Sequence, residues 1–267
     1  ALGRLGTHAG LTAEGAALGV VRVVEEVMAG AIRTVSIEQG ADPRDAWLVA
    51  FGGAGGLHAT ALARSLDMAG VIIPPFGGVF SAAGLLLSPP RVDLAQSILI
   101  RQGDDPDPVF TQLTADVSRR LPIGEVETLA DVRYLGQSHE ITVPYAVGDG
   151  WAILRRRFHR LHRERNGFNR LDDPVEVVTV RATVTGSPHI AARDAFVWEA
   201  TGDPRLGSRS VVTAAGIVEA TVWSRMGLHV GAVIEGPAII EEREATTWIG
   251  PGELAQVTAT GAMEMTW

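Results

Sequence analysis

The sequence contains no cysteine, which excludes a disulfide frame, a thiolate nucleophile and a Cys-ligated zinc. Lysine is missing as well, so all 23 basic residues are arginine and no G-x-x-x-x-G-K-[ST] phosphate loop can be completed. Acidic residues outnumber basic ones, and the formal charge of −8 argues against a nucleic-acid surface. No apolar run reaches the ~20 residues needed to span a bilayer, and the N-terminus lacks the basic-then-apolar layout of a signal peptide. These absences point to a reducing cytoplasm, with neither nucleic acid nor membrane as a partner. The 267 residues, 46% of them hydrophobic, suffice for one large or two ordinary domains. Ala1-Leu-Gly-Arg-Leu-Gly carries no initiator methionine, which leads us to expect a piece of a longer polypeptide.

What is present is organised around Trp47-Leu-Val-Ala-Phe51, followed by Gly52-Gly53-Ala54-Gly55-Gly56 and the alanine-rich Leu57 to Ala63. The order predicts strand, tight turn and helix, which sets backbone N–H groups beside a ligand or simply closes a turn. Before it, apolar residues from Ala17 to Val35 recur at helical steps, with Thr12 as N-cap and Gly40 just past the end. After it, Val71 to Ile73 predicts a strand, Pro74 to Gly78 a second glycine turn, and Val79 to Leu87 a second helix. Ser81, Ala82, Ala83 and Gly84 leave little side chain on one face of that helix.

At Pro89-Pro90 the character changes. Strands are expected at 93–101, 128–134, 139–145 and 175–186, and helices at 108–121 and from Trp151 to a stop at Asn166-Gly167. Residues 187–208 are low in pattern and read as a surface excursion. Three short strands follow, at 216–223, 238–241 and 255–259. The fold expected is therefore α/β in residues 1–90 and α+β in residues 91–267, with a β-rich terminal unit from about 210.

Few residues offer chemistry. His58 lies in the first turn of the glycine-loop helix, within reach of a ligand or of a packing partner. His159 and His162 have the i, i+3 spacing of metal ligands but lack a matching carboxylate set, so no metal site is expected. The arginines at 155, 156, 157, 160 and 163 read either as a solvated face or as a grip on an acidic partner. Asp131, Arg133, Tyr134, Gln137, His139 and Glu140 form the densest polar cluster. The Asp-x-Arg alternation places Asp131 and Arg133 on one strand face, where they would pair. There is no G-x-S-x-G elbow and no H-E-x-x-H.

Phe51-Gly-Gly-Ala-Gly-Gly-Leu-His-Ala59 resembles the FGGAGPLHA signature of the hydantoinase A/5-oxoprolinase family. Asp42-Pro-Arg44, Ser81-Ala-x-Gly-Leu85, Asp131-x-Arg-Tyr-x-Gly-Gln137 and Gly236-Pro-Ala-Ile-Ile240 stand in the same order as in that family. The departure is Gly56, where the signature has proline, which we expect to loosen the turn. The resemblance implies an actin/chaperone/sugar-kinase-like ATPase lobe whose adenosine-side motif includes Gly52, Gly53, Ala54, Gly55 and His58. Ser81 and Gly84 would lie on the connecting helix at the lobe interface. It implies ATP with Mg2+, whose ligands would sit mainly on the missing N-terminal part. It further implies a hydantoinase B-type partner subunit and a small cyclic-amide substrate activated by phosphorylation, with ketone carboxylation as a related chemistry. Asp131, Arg133 and Gln137 become candidate catalytic residues, Arg133 as an anion fork held by Asp131. A decayed, non-catalytic scaffold is the competing reading.

Overall fold

The structure, a computed structural model, describes residues 1–190 and 197–267. Contacts divide the chain into two compact units, residues 1–87 with 190–267, and residues 88–189.

The first unit begins with helix α1 (Leu2–Ala9), which the sequence pattern did not announce, and the long α2 (Ala13–Val35). Thr12 caps α2 as expected, its Oγ1 accepting the Gly15 N–H at 3.0 Å. Strand β1 (Trp47–Val49) leads through the glycine turn into α3 (Gly55–Ser65), and β2 (Gly70–Ile73) leads through the second turn into α4 (Phe80–Leu87). β1 and β2 pair in parallel, Leu48 opposite Val71. Both turns therefore leave the same, carboxyl, edge of the sheet, where open α/β sheets hold their ligands.

The C-terminal segment completes this unit. Strands β7 (Arg205–Thr213), β8 (Gly216–Ser224), β10 (Ala238–Glu241) and β11 (Thr246–Ile249) form one sheet in the order β11-β10-β8-β7. Strands β9 (Val233–Glu235), β12 (Leu254–Val257) and β13 (Met263–Thr266) join β1 and β2 in the other, in the order β1-β2-β13-β12-β9. A division at residue 90 follows the order of the sequence. In space the second part is itself split, because β13 docks antiparallel on β2, Met263 opposite Ile73 and Met265 opposite Val71. Val71, Ile73, Ala59, Ala63, Met263 and Met265 share one buried core, the two alanines letting α3 lie close to the sheet. The low-pattern stretch from 187 to 208 falls partly outside the described residues, and its last four residues already belong to β7.

The second unit is α+β. Strands β3 (Arg91–Arg101), β4 (Glu125–Tyr134), β5 (Ile141–Pro144) and β6 (Val175–Thr185) form an antiparallel sheet ordered β3-β6-β4-β5. Helices α5 (Asp107–Arg120) and α6 (Gly150–Asn166) cover one face. Phe110, Leu113, Leu154 and Phe158 bury against Val132, Val143, Val177 and Val180. No described helix is long and apolar enough to cross a membrane.

Candidate nucleotide-side glycine turns

The two glycine turns clasp one another. Ala50 N–H donates to Ile72 O at 2.9 Å, and Gly52 N–H then donates to Gly77 O at 2.8 Å. Gly52 has φ of 88°, a conformation that costs a side-chain-bearing residue steric strain. Phe51 and Phe80 pack with ring centroids 5.4 Å apart, one aromatic from each turn.

A third element meets them that the sequence analysis did not single out, the β10–β11 hairpin with Glu242 to Ala245 at its tip. Thr246 N–H donates to Gly53 O at 3.1 Å. A Cβ on Gly53 would stand 3.1 Å from Glu244 O, and one on Gly78 would stand 2.6 Å from the same atom. Gly53 thus has a packing reason beside any ligand role. Glu242 accepts the Gly77 N–H. Burial pushes its carboxyl above the usual range, opposed by the Arg225 guanidinium and that hydrogen bond. Arg225 is fully buried, 3.7 Å from Glu242 and 4.3 Å above the Trp198 ring, and it donates to Gly261 O. Burial brings its pKa down to about 10, with Glu242 opposing the shift. The run Glu241-Glu-Arg-Glu244 between two apolar strands was the available signal for this support.

Gly56 carries a correction. In place of a loosened turn, the glycine is buried, and a Cβ there would lie 2.4 Å from Thr247 Oγ1 and 2.9 Å from Thr246 O. Its lack of a side chain is what lets α3 press on β11.

One face of the first turn is left open. Gly53 and Ala54 are exposed, Gly52 and Gly55 half-buried, and no side chain caps the first-turn N–H groups of α3. Gly55 and Leu57 N–H donate within the turn, to Gly52 O at 3.3 Å and Ala54 O at 3.0 Å, and a helix N-terminus of this kind carries the positive end of the helix dipole. Ser81 is exposed on α4, as is Gly84, where a Cβ would meet nothing within 4 Å. His58 turns to α2 instead, its Nδ1 3.2 Å from Glu25 Oε1, and lines a mostly apolar cavity of about 590 Å³ with Leu18, Val21, Arg64 and Trp248.

The polar cluster of the second unit does not assemble as expected. Asp131 is buried and bonded to Arg181, at 2.8 Å, and to Thr142, at 2.7 Å. Arg133 is 2.8 Å from the buried Glu176. Asp131 and Arg133 therefore do not pair. Both reach across to β6, where opposite charges are available at better geometry than along one strand. Gln137 belongs to the turn after β4 and lines a recess of about 550 Å³ with His139, Glu140 and His162. His159 and His162 are both buried, hydrogen-bonded to Tyr134 Oη and Phe168 O respectively. Among the described residues no group of three or more His, Asp or Glu is placed to hold a metal.

Comparison with known proteins supplies the context. The hydantoinase/oxoprolinase family profile matches residues 1–93, and that of the hydantoinase/oxoprolinase C-terminal domain matches residues 157–260. An uncharacterised protein of Methanocaldococcus jannaschii is 36% identical over 99% of this chain and 40% of its own length. The caprolactamase subunit alpha of Pseudomonas jessenii is 28% identical over 96% of the chain and 40% of its length. The crystal structure of that ATP-dependent caprolactamase superposes with a TM-score of 0.64 over 98% of this chain. A nucleotide-free acetone carboxylase superposes with a TM-score of 0.73 over 99% of the chain at 17% identity, a likeness of fold. The chain thus spans about two-fifths of the length of these relatives.

Proposed function

The chain belongs to the hydantoinase/oxoprolinase family, and from that premise we propose that it forms the C-terminal part of a cytoplasmic, ATP-dependent cyclic-amide hydrolase. In this reading its two clasped glycine turns make one wall of the ATP site. The observation that carries it is the juxtaposition of those turns at the carboxyl edge of the parallel pair β1–β2, with an uncapped helix behind the first. Bound ATP with Mg2+ would supply the phosphoryl group that makes a poor electrophile, the ring amide, open to water. The chain's own share is to present backbone N–H groups and to exclude side chains there. The upstream part of the polypeptide would carry the remaining phosphate and magnesium ligands.

Two helix faces support assignment to a longer protein. Val23, Val27 and Val35 of α2 and Leu85 and Leu86 of α4 are all more than half exposed, an apolar surface that the rest of the polypeptide would cover. A hydantoinase B-type subunit is the proposed partner, by analogy with the alpha subunit of caprolactamase. That 28% relative favours amide hydrolysis over ketone carboxylation, which rests on fold alone.

The test is made on the full-length protein with its partner subunit. ATP consumption is expected to be coupled to ring opening of a lactam, hydantoin or oxoproline, and to vanish without Mg2+. This chain by itself is expected to turn over no ATP, since positioning supplies most of such catalysis. Ring opening that proceeds unchanged without ATP would contradict the proposal.

A further inference from the structure

In the second unit, α6 carries two rows of cationic side chains one turn apart, Arg155 and Arg163 flanking His159, and Arg156 followed by Arg160. With Asn169 and Leu171 from the segment after the helix they line an open recess of about 790 Å³. Arg155 anchors that segment by donating to Leu171 O at 2.6 Å. Arg160 lies 3.8 Å from Glu164, whereas Arg156 and Arg163 have no carboxylate within 4.0 Å among the described residues.

Below the arginines lies a donor without an acceptor. Arg170 N–H donates to Tyr134 Oη at 2.7 Å, which leaves the Tyr134 hydroxyl proton for His159 Nδ1 at 2.8 Å. The tautomer with Nδ1 as acceptor is the one that gives the Tyr134 hydroxyl proton a partner, and it puts the ring proton on Nε2. His159 is 6% exposed, and its Nε2 has no hydrogen-bond partner among the described residues. Arg155 Nε is buried and unpartnered in the same way. Burial, and secondarily the Arg155 charge, hold the His159 pKa down, which favours the neutral ring with this one donor. Two orphaned buried donors beneath a row of arginines are costly in a fold, and an oxyanion is the kind of partner they lack.

We propose that this recess binds a phosphoryl oxyanion, gripped by Arg155, Arg156 and Arg163 and reaching toward the buried edge of His159. Guanidinium forks match phosphate oxygens two at a time. With Arg160 set against Glu164, which also lines the recess, three arginines remain, more than a single carboxylate would neutralise, and the open recess is of the size that takes a small molecule. The site lies wholly within residues 152–171 and is independent of the glycine turns.

Calorimetric titration of the full-length protein at physiological salt, with inorganic phosphate in one arm and phenyl phosphate in the other, tests it. Saturable binding of one equivalent is expected. A preference for phosphate would assign the site to the free ion, and a preference for the monoester to an organic phosphate. The exposed pair Arg156→Ala/Arg163→Ala should weaken binding by at least about tenfold, the loss expected for a charge-assisted hydrogen bond. His159→Asn keeps an acceptor near Tyr134, removes the Nε2 donor, and should weaken binding comparably with little change in Tm. Should His159→Asn fail to fold, the arginine pair decides. No saturable binding of either probe up to roughly 10 mM, the range of negligible affinity, would overturn the proposal. So would binding that survives loss of the arginine pair, or a folded His159→Asn protein with unchanged affinity.

Discussion

Gly56→Pro, which restores the residue common in the family signature, is expected to destabilise this protein rather than stiffen its turn. Proline is well tolerated in the first turn of a helix, so backbone conformation does not forbid it at the second position of α3. The obstacle is the Cβ, 2.4 Å from Thr247 Oγ1, 2.9 Å from Thr246 O and 3.0 Å from Thr247 Cα. One of these atoms ends a short side chain and two are backbone of β11, so the helix and strand must part. Overpacking of this kind costs about 1–3 kcal/mol, and we expect the upper end. Gly56→Ala should lose a similar amount, and adding Thr247→Ala should recover only a part, because the backbone contacts remain. Gly30→Ala in α2, where a Cβ meets nothing within 4 Å, should instead gain roughly 0.5–1 kcal/mol from helix propensity. Denaturant midpoints of the four variants check the series. A Gly56→Pro protein as stable as the parent would remove the packing account of this glycine.

Arg225→Met is expected to cost more, about 3–5 kcal/mol, the range for removing one partner of a buried ion pair. The substitution leaves Gly261 O without its donor, strips the cation from the Trp198 face and isolates Glu242, whose carboxylate holds the second glycine turn. The double variant Arg225→Met/Glu242→Gln should regain much of the loss, since the uncompensated charge is gone. The sign of the pH dependence follows from Glu242. Its folded pKa lies above the usual carboxylate range and would rise further without Arg225. A carboxyl with a raised folded pKa favours the fold at low pH and disfavours it as pH climbs past the unfolded value. The Arg225→Met deficit should therefore be smaller at about pH 5 than at about pH 8. Thermal unfolding at both pH values measures this, and a deficit independent of pH would mean that Glu242 is not the group left stranded.

The parts of this fold legible in the sequence were those written in local pattern. Thr12 opens the first long helix, which stops at Ser36 before the 3-10 turn that Gly40 closes, a β-branched run marks β6, and glycine clusters announce both turns. Strands of three or four residues, such as β9, β11 and β13, are too short to show a period and exist because distant partners hold them. The return of the chain to the first unit depends on such a pairing, β13 with β2, which no local signal encodes. Site residues divide the same way. Gly52 to Gly55 were visible as a motif. The hairpin tip at Glu242 and Glu244 was not, since its relevance comes from contacts about 170–190 residues away in sequence, well beyond any local window. Asp131 and Arg133 were correctly placed on a strand, yet their partners Arg181 and Glu176 are chosen by sheet register, which spacing along one strand cannot reveal.

The central claim, that the first glycine turn faces nucleotide, is tested most directly by Ala54→Asp in the full-length protein. Ala54 is the exposed N-cap of α3 and makes no side-chain cap. Aspartate is a favoured residue there and should raise stability by about 0.5–1 kcal/mol. If the turn lines the ATP site, the same carboxylate confronts a polyanion, and ATP affinity measured by equilibrium titration should fall at least about tenfold. Reduced affinity in a protein at least as stable as the parent is the predicted result. Undiminished ATP affinity in the stabilised variant would contradict it and leave the turn as a packing device alone.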